Sequence, residues 1–104
     1  MAITSLALDV TEGNIFVSSG VNGDAVTTMY FCNRSGTVTT FNLHLVPSGG
    51  SADANNIAYS NKVVTAGDTY IIDWEKLVLG PGDMIQASAN TANAIVATVS
   101  TIGV

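Results

Sequence analysis

Charged residues are scarce in this chain. Only 11% of its 104 residues are charged, with three basic residues against eight acidic ones and a formal net charge of −5. Soluble monomeric domains carry about 25% charged residues. The positions where such a domain would carry Lys and Glu are filled here by Thr, Ser, Asn and Ala. We therefore expect a protein whose faces are covered by copies of itself or by a larger assembly.

The shortage of basic residues excludes two classes of partner. Arg34, Lys62 and Lys76 are the only basic residues, too few to neutralise a row of phosphates or to hold an anionic membrane surface. The chain also lacks a hydrophobic run long enough to cross a membrane. Its first residues lack the basic and apolar regions of a secretory signal. We expect neither nucleic acid nor membrane as a partner.

Cysteine and histidine each occur once, as Cys32 and His44. One cysteine cannot form an intramolecular disulfide, which fits folding in a reducing cytosol. If Cys32 and His44 lay on neighbouring hairpin strands they could form a nucleophile–base pair. We favour a simpler interpretation, in which Cys32 packs as a small hydrophobe and His44 forms hydrogen bonds within or between subunits. Asn33-Arg34-Ser35 matches a glycosylation sequon, but without a secretion signal we expect no glycan there.

Other candidate chemistry is equally sparse. Asp73 and Glu75 flank Trp74, and paired carboxylates can hydrolyse glycosides, but strand alternation places both acids opposite the Trp. Two exposed acids beside a buried Trp is the preferred interpretation. The loop Ser51–Asn56 has oxygen ligands but too few carboxylates for tight calcium binding. We predict no catalytic residue, no metal and no cofactor, and a protein that is not an enzyme.

The apolar residues follow the period of β-strands, and no helical stripe of three turns is present. The clearest case is Thr37–Val46, where Thr39, Phe41, Leu43 and Leu45 alternate with Val38, Thr40, Asn42 and His44. The predicted strands are Ile3–Val10, Asn14–Ser19, Ala25–Asn33, Thr37–Val46, Lys62–Val64, Thr69–Trp74, Leu77–Leu79, Met84–Ala89 and Ala94–Ile102. Short strands at this spacing predict an all-β protein. We expect a single domain over residues 1–104, a compact antiparallel β-sandwich or jelly-roll-like barrel of about eight short strands.

Turn residues separate these strands. Asn33-Arg34-Ser35-Gly36 lies between the two longest strands and predicts a hairpin loop in which Gly36 has positive φ. Ala66-Gly67-Asp68 and Gly80-Pro81-Gly82-Asp83 predict turns in which the Asp carboxylate accepts a backbone N–H. Ala52–Tyr59 is short and follows Gly49-Gly50, so we interpret it as loop.

Several of these motifs occur together, in the same order, in a known group of proteins. They are Asn33-Arg34-Ser35-Gly36, Leu45-Val46-Pro47-Ser48-Gly49-Gly50, Asn56-Ile57-Ala58, Ala66-Gly67-Asp68-Thr69-Tyr70 and Leu79-Gly80-Pro81-Gly82-Asp83-Met84-Ile85. The stretch from Phe31 to Ala89 resembles small β-sandwich virion structural proteins of tailed bacteriophages. Such proteins serve as head decoration or cement proteins and as neck or tail components. None of the shared motif residues is a catalytic or cofactor position in that family.

The resemblance implies a non-enzymatic protein located in the virion, and in the host cytoplasm during assembly. We expect a capsid decoration or cement protein that forms a homotrimer and ties neighbouring subunits of the major capsid protein together. The terminal strand, Ala94–Val104, is rich in Thr, Ala and Ile, and we predict that Ile95, Val99 and Ile102 contact sister subunits.

Two alternatives remain open at this point. A neck, tail or baseplate component would share the same fold and surface. A carbohydrate-binding module on a tail or fibre would use Trp74, Tyr70 and acidic loop residues. A third and weaker hypothesis, a small hydrolase, requires a reactive Cys32.

Overall fold

A computed structural model of the chain describes residues 2–19, 21–73 and 77–103. These residues form nine β-strands, one for each of the predicted segments. The strands are β1 (Ala2–Ala7), β2 (Gly13–Val17), β3 (Asp24–Asn33), β4 (Thr39–Val46), β5 (Ile57–Val64), β6 (Thr69–Ile72), β7 (Leu77–Leu79), β8 (Met84–Ala89) and β9 (Ile95–Gly103). The described part of the chain contains no helix capable of crossing a membrane.

The strands form two antiparallel sheets. The first sheet has the order β1-β9-β3-β6, and β7 pairs with the other end of β3. The second sheet has the order β2-β8-β4-β5. If β6 and β7 are taken as one interrupted strand, this is the strand order of an eight-stranded jelly roll, in which two Greek keys interlock. The predicted all-β sandwich is therefore confirmed.

The strand boundaries lie within three residues of the predicted ones except at β5, and the predicted end of β6, Trp74, lies outside the described residues. Strand β5 begins at Ile57, inside the segment predicted as loop, rather than at Lys62. A bulge interrupts it: Asn61 has a φ of 52°, and its backbone N–H donates to Asn42 Oδ1 at 2.7 Å. The bulge breaks the period-two pattern of the side chains. The alternation in the sequence therefore did not predict the first half of β5 as a strand.

The predicted hairpin between β3 and β4 is wrong. β3 belongs to the first sheet and β4 to the second, so residues Asn33 to Val38 carry the chain from one layer to the other. Gly36 is not among the described glycines with positive φ, which are Gly23, Gly49, Gly67 and Gly82. The crossing depends instead on Asn33, whose side chain is fully buried and bonded to backbone on both sides.

The core lies between the two sheets and is built from their inward-facing side chains. Phe31 from β3 and Phe41 from β4 stack in parallel, with ring centroids 4.2 Å apart and both side chains fully buried. Tyr59 and Tyr70 extend this aromatic cluster toward the side of the sandwich formed by β5 and β6. These four aromatic side chains therefore belong to the packing between the sheets, whereas Tyr30 is 40% exposed on the outer side of the first sheet.

Candidate functional site

At the outward positions of its described strands, the first sheet carries no charged side chain, and this surface is here called the uncharged face. One row crosses all four strands as Ser5, Thr98, Tyr30 and Ile71, which are direct cross-strand neighbours. The other outward positions are filled in the same way, by Ile3, Ala7, Ala25, Thr28, Cys32, Thr69, Val78, Val96, Ser100 and Ile102. Asp24 is the one charged residue in these five strands, and it lies opposite buried Leu79, at the edge of the core.

Large apolar side chains on this face are open to solvent. The most exposed are Ile3 at 72% and Val78 at 70%, and Ile71, Ile102 and Tyr30 are each exposed by 40% or more. Single exposed apolar residues are ordinary on soluble proteins, but contiguous apolar patches mark interaction sites. The uncharged face is therefore the strongest candidate for a binding surface in the described residues.

Hydroxyl groups on the uncharged face bond to partners within the same sheet. Ser5 Oγ and Thr98 Oγ1 lie 3.2 Å apart across β1 and β9. The hydroxyl of Thr27 lies 3.0 Å from Ser100 Oγ and donates to the Ser100 carbonyl at 3.1 Å. Polar groups that already have partners lose less when water is removed than groups that depend on water. The uncharged face contains many hydroxyl groups, but its burial against another protein would cost few hydrogen bonds with water.

The three residues predicted as interface divide between core and surface. Ile95 and Val99 point inward and are 0% exposed, so they stabilise the subunit and offer no surface to a partner. This corrects the prediction, and the reason is alternation along β9: odd-numbered positions face the core and even-numbered ones face outward. Ile102, beyond the last buried position, is 45% exposed and lies on the uncharged face. Its contact with a sister subunit stays a prediction.

The outer face of the second sheet is different, because polar and charged side chains bond to one another there. Ser88 Oγ donates to Glu12 Oε1 at 2.8 Å, and His44 Nε2 lies 3.3 Å from the same oxygen. His44 Nδ1 lies 2.9 Å from Asn56 Oδ1. His44 and Ser88 are buried, because Glu12 and the loop before β5 cover them.

The direction of the His44 bond follows from its neighbour. Asn56 Oδ1 also accepts the Asp53 backbone N–H at 3.0 Å, and Asn56 Nδ2 donates to the Ser51 carbonyl at 2.8 Å. The amide is therefore oriented with its oxygen toward the imidazole, and His44 Nδ1 carries the hydrogen. The predicted hydrogen-bonding role of His44 is realised within the subunit.

This cluster does not form a nucleophile–base pair. The Ser88 hydroxyl donates to a carboxylate, not to the imidazole, whereas an activated serine needs the base as its acceptor. Cys32 lies in the first sheet and His44 in the second, each next to an inward-facing core residue. The two side chains therefore lie on opposite outer faces of the sandwich, and the pair considered from sequence is not assembled.

The remaining candidates from sequence have structural roles or lie outside the description. The Ser51–Asn56 loop uses its oxygens internally, with Asp53 Oδ1 accepting the Asn55 N–H at 2.8 Å. No group of three potential metal ligands occurs among the His, Cys, Asp and Glu residues that the structure describes. The Tyr70 ring contacts Phe41, Tyr59 and the Lys62 ammonium, which lies 4.5 Å from its centroid. Trp74 and Glu75 lie outside the described residues.

An apolar cleft of about 170 Å³ opens between the sheets, beside the aromatic cluster. Its lining is Met29, Leu43, Leu45, Ala58, Tyr59, Ile72 and Leu77. Among the described residues, its lining carries no charged side chain.

Sequence reasoning missed the uncharged face, although its signal was present. Strands β1, β6, β7 and β9 contain no charged residue. That these strands share one sheet follows from the jelly-roll order, which no local pattern reveals.

No family model matches the chain, and no curated protein matches it. Among solved structures, the chain is similar to one in the structure of infectious bursal disease virus, Gx strain, with 12% sequence identity and a TM-score of 0.39. The match covers 97% of this chain and 32% of that one. A likeness this distant carries no argument about function.

Proposed function

We propose that this protein is a non-enzymatic structural component of a tailed-bacteriophage virion, acting as a capsid decoration or cement protein. The observation that carries the proposal is the uncharged face, a whole side of the sandwich suited to burial against protein. Jelly rolls occur in viral capsid domains and also in lectins, so the fold supports the proposal by analogy. The motif resemblance between Phe31 and Ala89 supports the phage assignment.

The proposed mechanism is mechanical. Each copy contacts neighbouring subunits of the major capsid protein, and the symmetry of the shell repeats each contact many times. Contacts that are weak singly then hold collectively, because each later contact forms at high effective concentration. Removal of apolar surface from water provides the driving force. The proposed oligomer is a homotrimer, assembled in the host cytoplasm and retained in the virion.

The proposal is tested with particles of the encoding phage that lack this protein, made by deleting its gene. Purified protein is added back, and particles are sedimented and heated. A decoration role predicts that the protein sediments with the heads and raises the temperature at which they release DNA. The protein is used without substitutions. Bovine albumin is the control for protein that is carried into the pellet without binding to the heads.

Other outcomes distinguish the alternatives. Gold-labelled antibody on the neck, tail or baseplate would replace the decoration role with the neck or tail role. Binding to a glycan array by protein that ignores phage heads would favour the carbohydrate-binding module. A protein absent from purified particles would contradict every virion role.

A further inference from the structure

We propose that the uncharged face is where one copy of this chain binds a second copy. The inference rests on the proposed function and deepens it, by naming the partner of this face as the chain itself. The proposed partner is a sister subunit, and the proposed contact surface is the outward side of the β1-β9-β3-β6/β7 sheet.

The charge distribution favours a sister subunit. Every copy carries a formal net charge of −5, so two copies repel each other wherever their acidic surfaces approach. The charges of Asp9, Arg34 and Asp68 lie in loops at one end of the sandwich, and Glu12 and Asp53 lie beside the second sheet. Asp73, which is exposed, directly follows β6, and Glu75 and Lys76 lie outside the described residues. The outward positions within the described strands of the first sheet hold no charge. Two copies therefore meet with least repulsion through this face.

The size of the face is sufficient for such a contact. The five strands hold 32 residues, each covering about 3.3 Å along its strand and about 4.8 Å across the sheet. The face therefore offers roughly 500 Å² per copy, or about 1,000 Å² in a pair, which is the minimum for a specific protein–protein interface. Side chains at the rim of the face, such as Ile3 and Val78, add to this area.

The chemistry of the face also suits burial against an identical surface. Ile71 and Tyr30 lie side by side in the row that crosses the sheet, and Ile102 and Val78 flank Ala25 in another. Between these apolar groups the hydroxyls of Ser5, Thr98 and Ser100 have partners in their own sheet. Neither copy needs to supply a matching charge, so the face of one copy can pack against the face of the next in a pair or in a ring of three.

The test is the native mass of the full chain, measured by size-exclusion chromatography with light scattering at about 100 µM. The subunit mass is 10.7 kDa, and the inference predicts a native mass at least twofold higher. Ile71→Asp with Ile102→Asp places acids on both sides of the contact and should return the protein to one subunit mass. Val63→Asp is the matched control: Val63 is a β-branched residue, 55% exposed, on β5 of the other sheet. Circular dichroism of each variant separates dissociation from unfolding.

Alkylation of Cys32 provides a second test that needs no substitution, because Cys32 is the only cysteine and lies on the uncharged face. Its rate of alkylation should rise severalfold when the protein is diluted from about 100 µM to a concentration at which the native mass falls to one subunit.

A wild-type protein that is monomeric at 100 µM overturns the inference, as does loss of assembly in Val63→Asp equal to that in the double variant. A monomer that still binds phage heads would overturn this inference and the proposed homotrimer, and would leave the proposed decoration role standing. An oligomer absent from particles would do the reverse.

Discussion

Asn33 joins the two sheets through a side chain that is fully buried. Its Nδ2 donates to the carbonyls of Thr37 and Val64 at 2.8 and 2.9 Å, and its Oδ1 accepts from Ser35 N and Ser35 Oγ. The sequon that begins at this residue therefore has no accessible amide in the folded protein. The sequence showed a turn at Asn33, but not that its side chain replaces the backbone pairing of a hairpin.

We predict that Asn33→Ala lowers the free energy of unfolding by about 2–3 kcal/mol, because it removes several hydrogen bonds of buried groups at once. The measurement is urea denaturation followed by circular dichroism. Asn55→Ala, in an exposed loop, is the control and should change the free energy by no more than about 0.5 kcal/mol. Equal effects of the two substitutions would contradict the role given to Asn33.

The orientation of Asn56 makes a second prediction for a single residue. The ¹⁵N spectrum of the His44 ring should show a hydrogen on Nδ1 at neutral pH, because this nitrogen lies 2.9 Å from an oxygen fixed by two other bonds. Asn56→Ala removes the acceptor and should alter the Nδ1 signal, whereas Asn55→Ala should leave it unchanged. An unprotonated Nδ1 in the unchanged protein would contradict the assigned hydrogen-bond directions.

At the scale of elements, the sequence predicted where strands lie better than which strands are neighbours. Alternation is local, so β3, β7, β8 and β9 were located within a residue or two. The partners of a strand depend on the direction the chain takes after each turn, and the turn after β3 was misassigned. The interface prediction failed at Ile95 and Val99 for the same reason, because the sequence did not show which side of β9 faces the core. For Ile102 it stays a prediction.

The turn before β3 brings two backbones so close that only glycine fits. Gly23 has a φ of 92°, and a Cβ placed on it would collide with the Leu79 carbonyl. Gly49 has a similar φ of 83°, but a Cβ there meets no atom within 4 Å. Both glycines therefore adopt a left-handed backbone conformation, but only Gly23 lacks space for a Cβ atom.

We predict that Gly49→Ala destabilises the protein by about 1 kcal/mol, the cost of a left-handed backbone alone. Gly23→Ala should cost at least about 2 kcal/mol more, because the pairing of β3 with β7 must shift. Thermal unfolding of both variants measures the difference. Similar melting temperatures would show that the approach of Leu79 to Gly23 is not a tight constraint.

At the scale of the whole molecule, the shortage of charge found in the composition is concentrated on one side. The second sheet carries a hydrogen-bonded polar network with Glu12 and His44, and the outward positions of the described strands of the first sheet carry no charge. The composition predicted that part of the surface is covered by other protein subunits. The strand order identifies the outer side of the first sheet as the surface best suited to such a contact. The expected trimer and the capsid partner follow from resemblance and stay predictions.

The copy number of the protein in purified particles tests the central claim most directly. Quantitative mass spectrometry of particles from the encoding phage gives this number relative to the major capsid protein. A decoration or cement role predicts a copy number comparable with that of the capsid subunits, and retention after washing in high salt, because the proposed contacts do not depend on charge. A few copies per particle would contradict the decoration role, and absence from the particles would contradict the proposal that this chain is a virion protein.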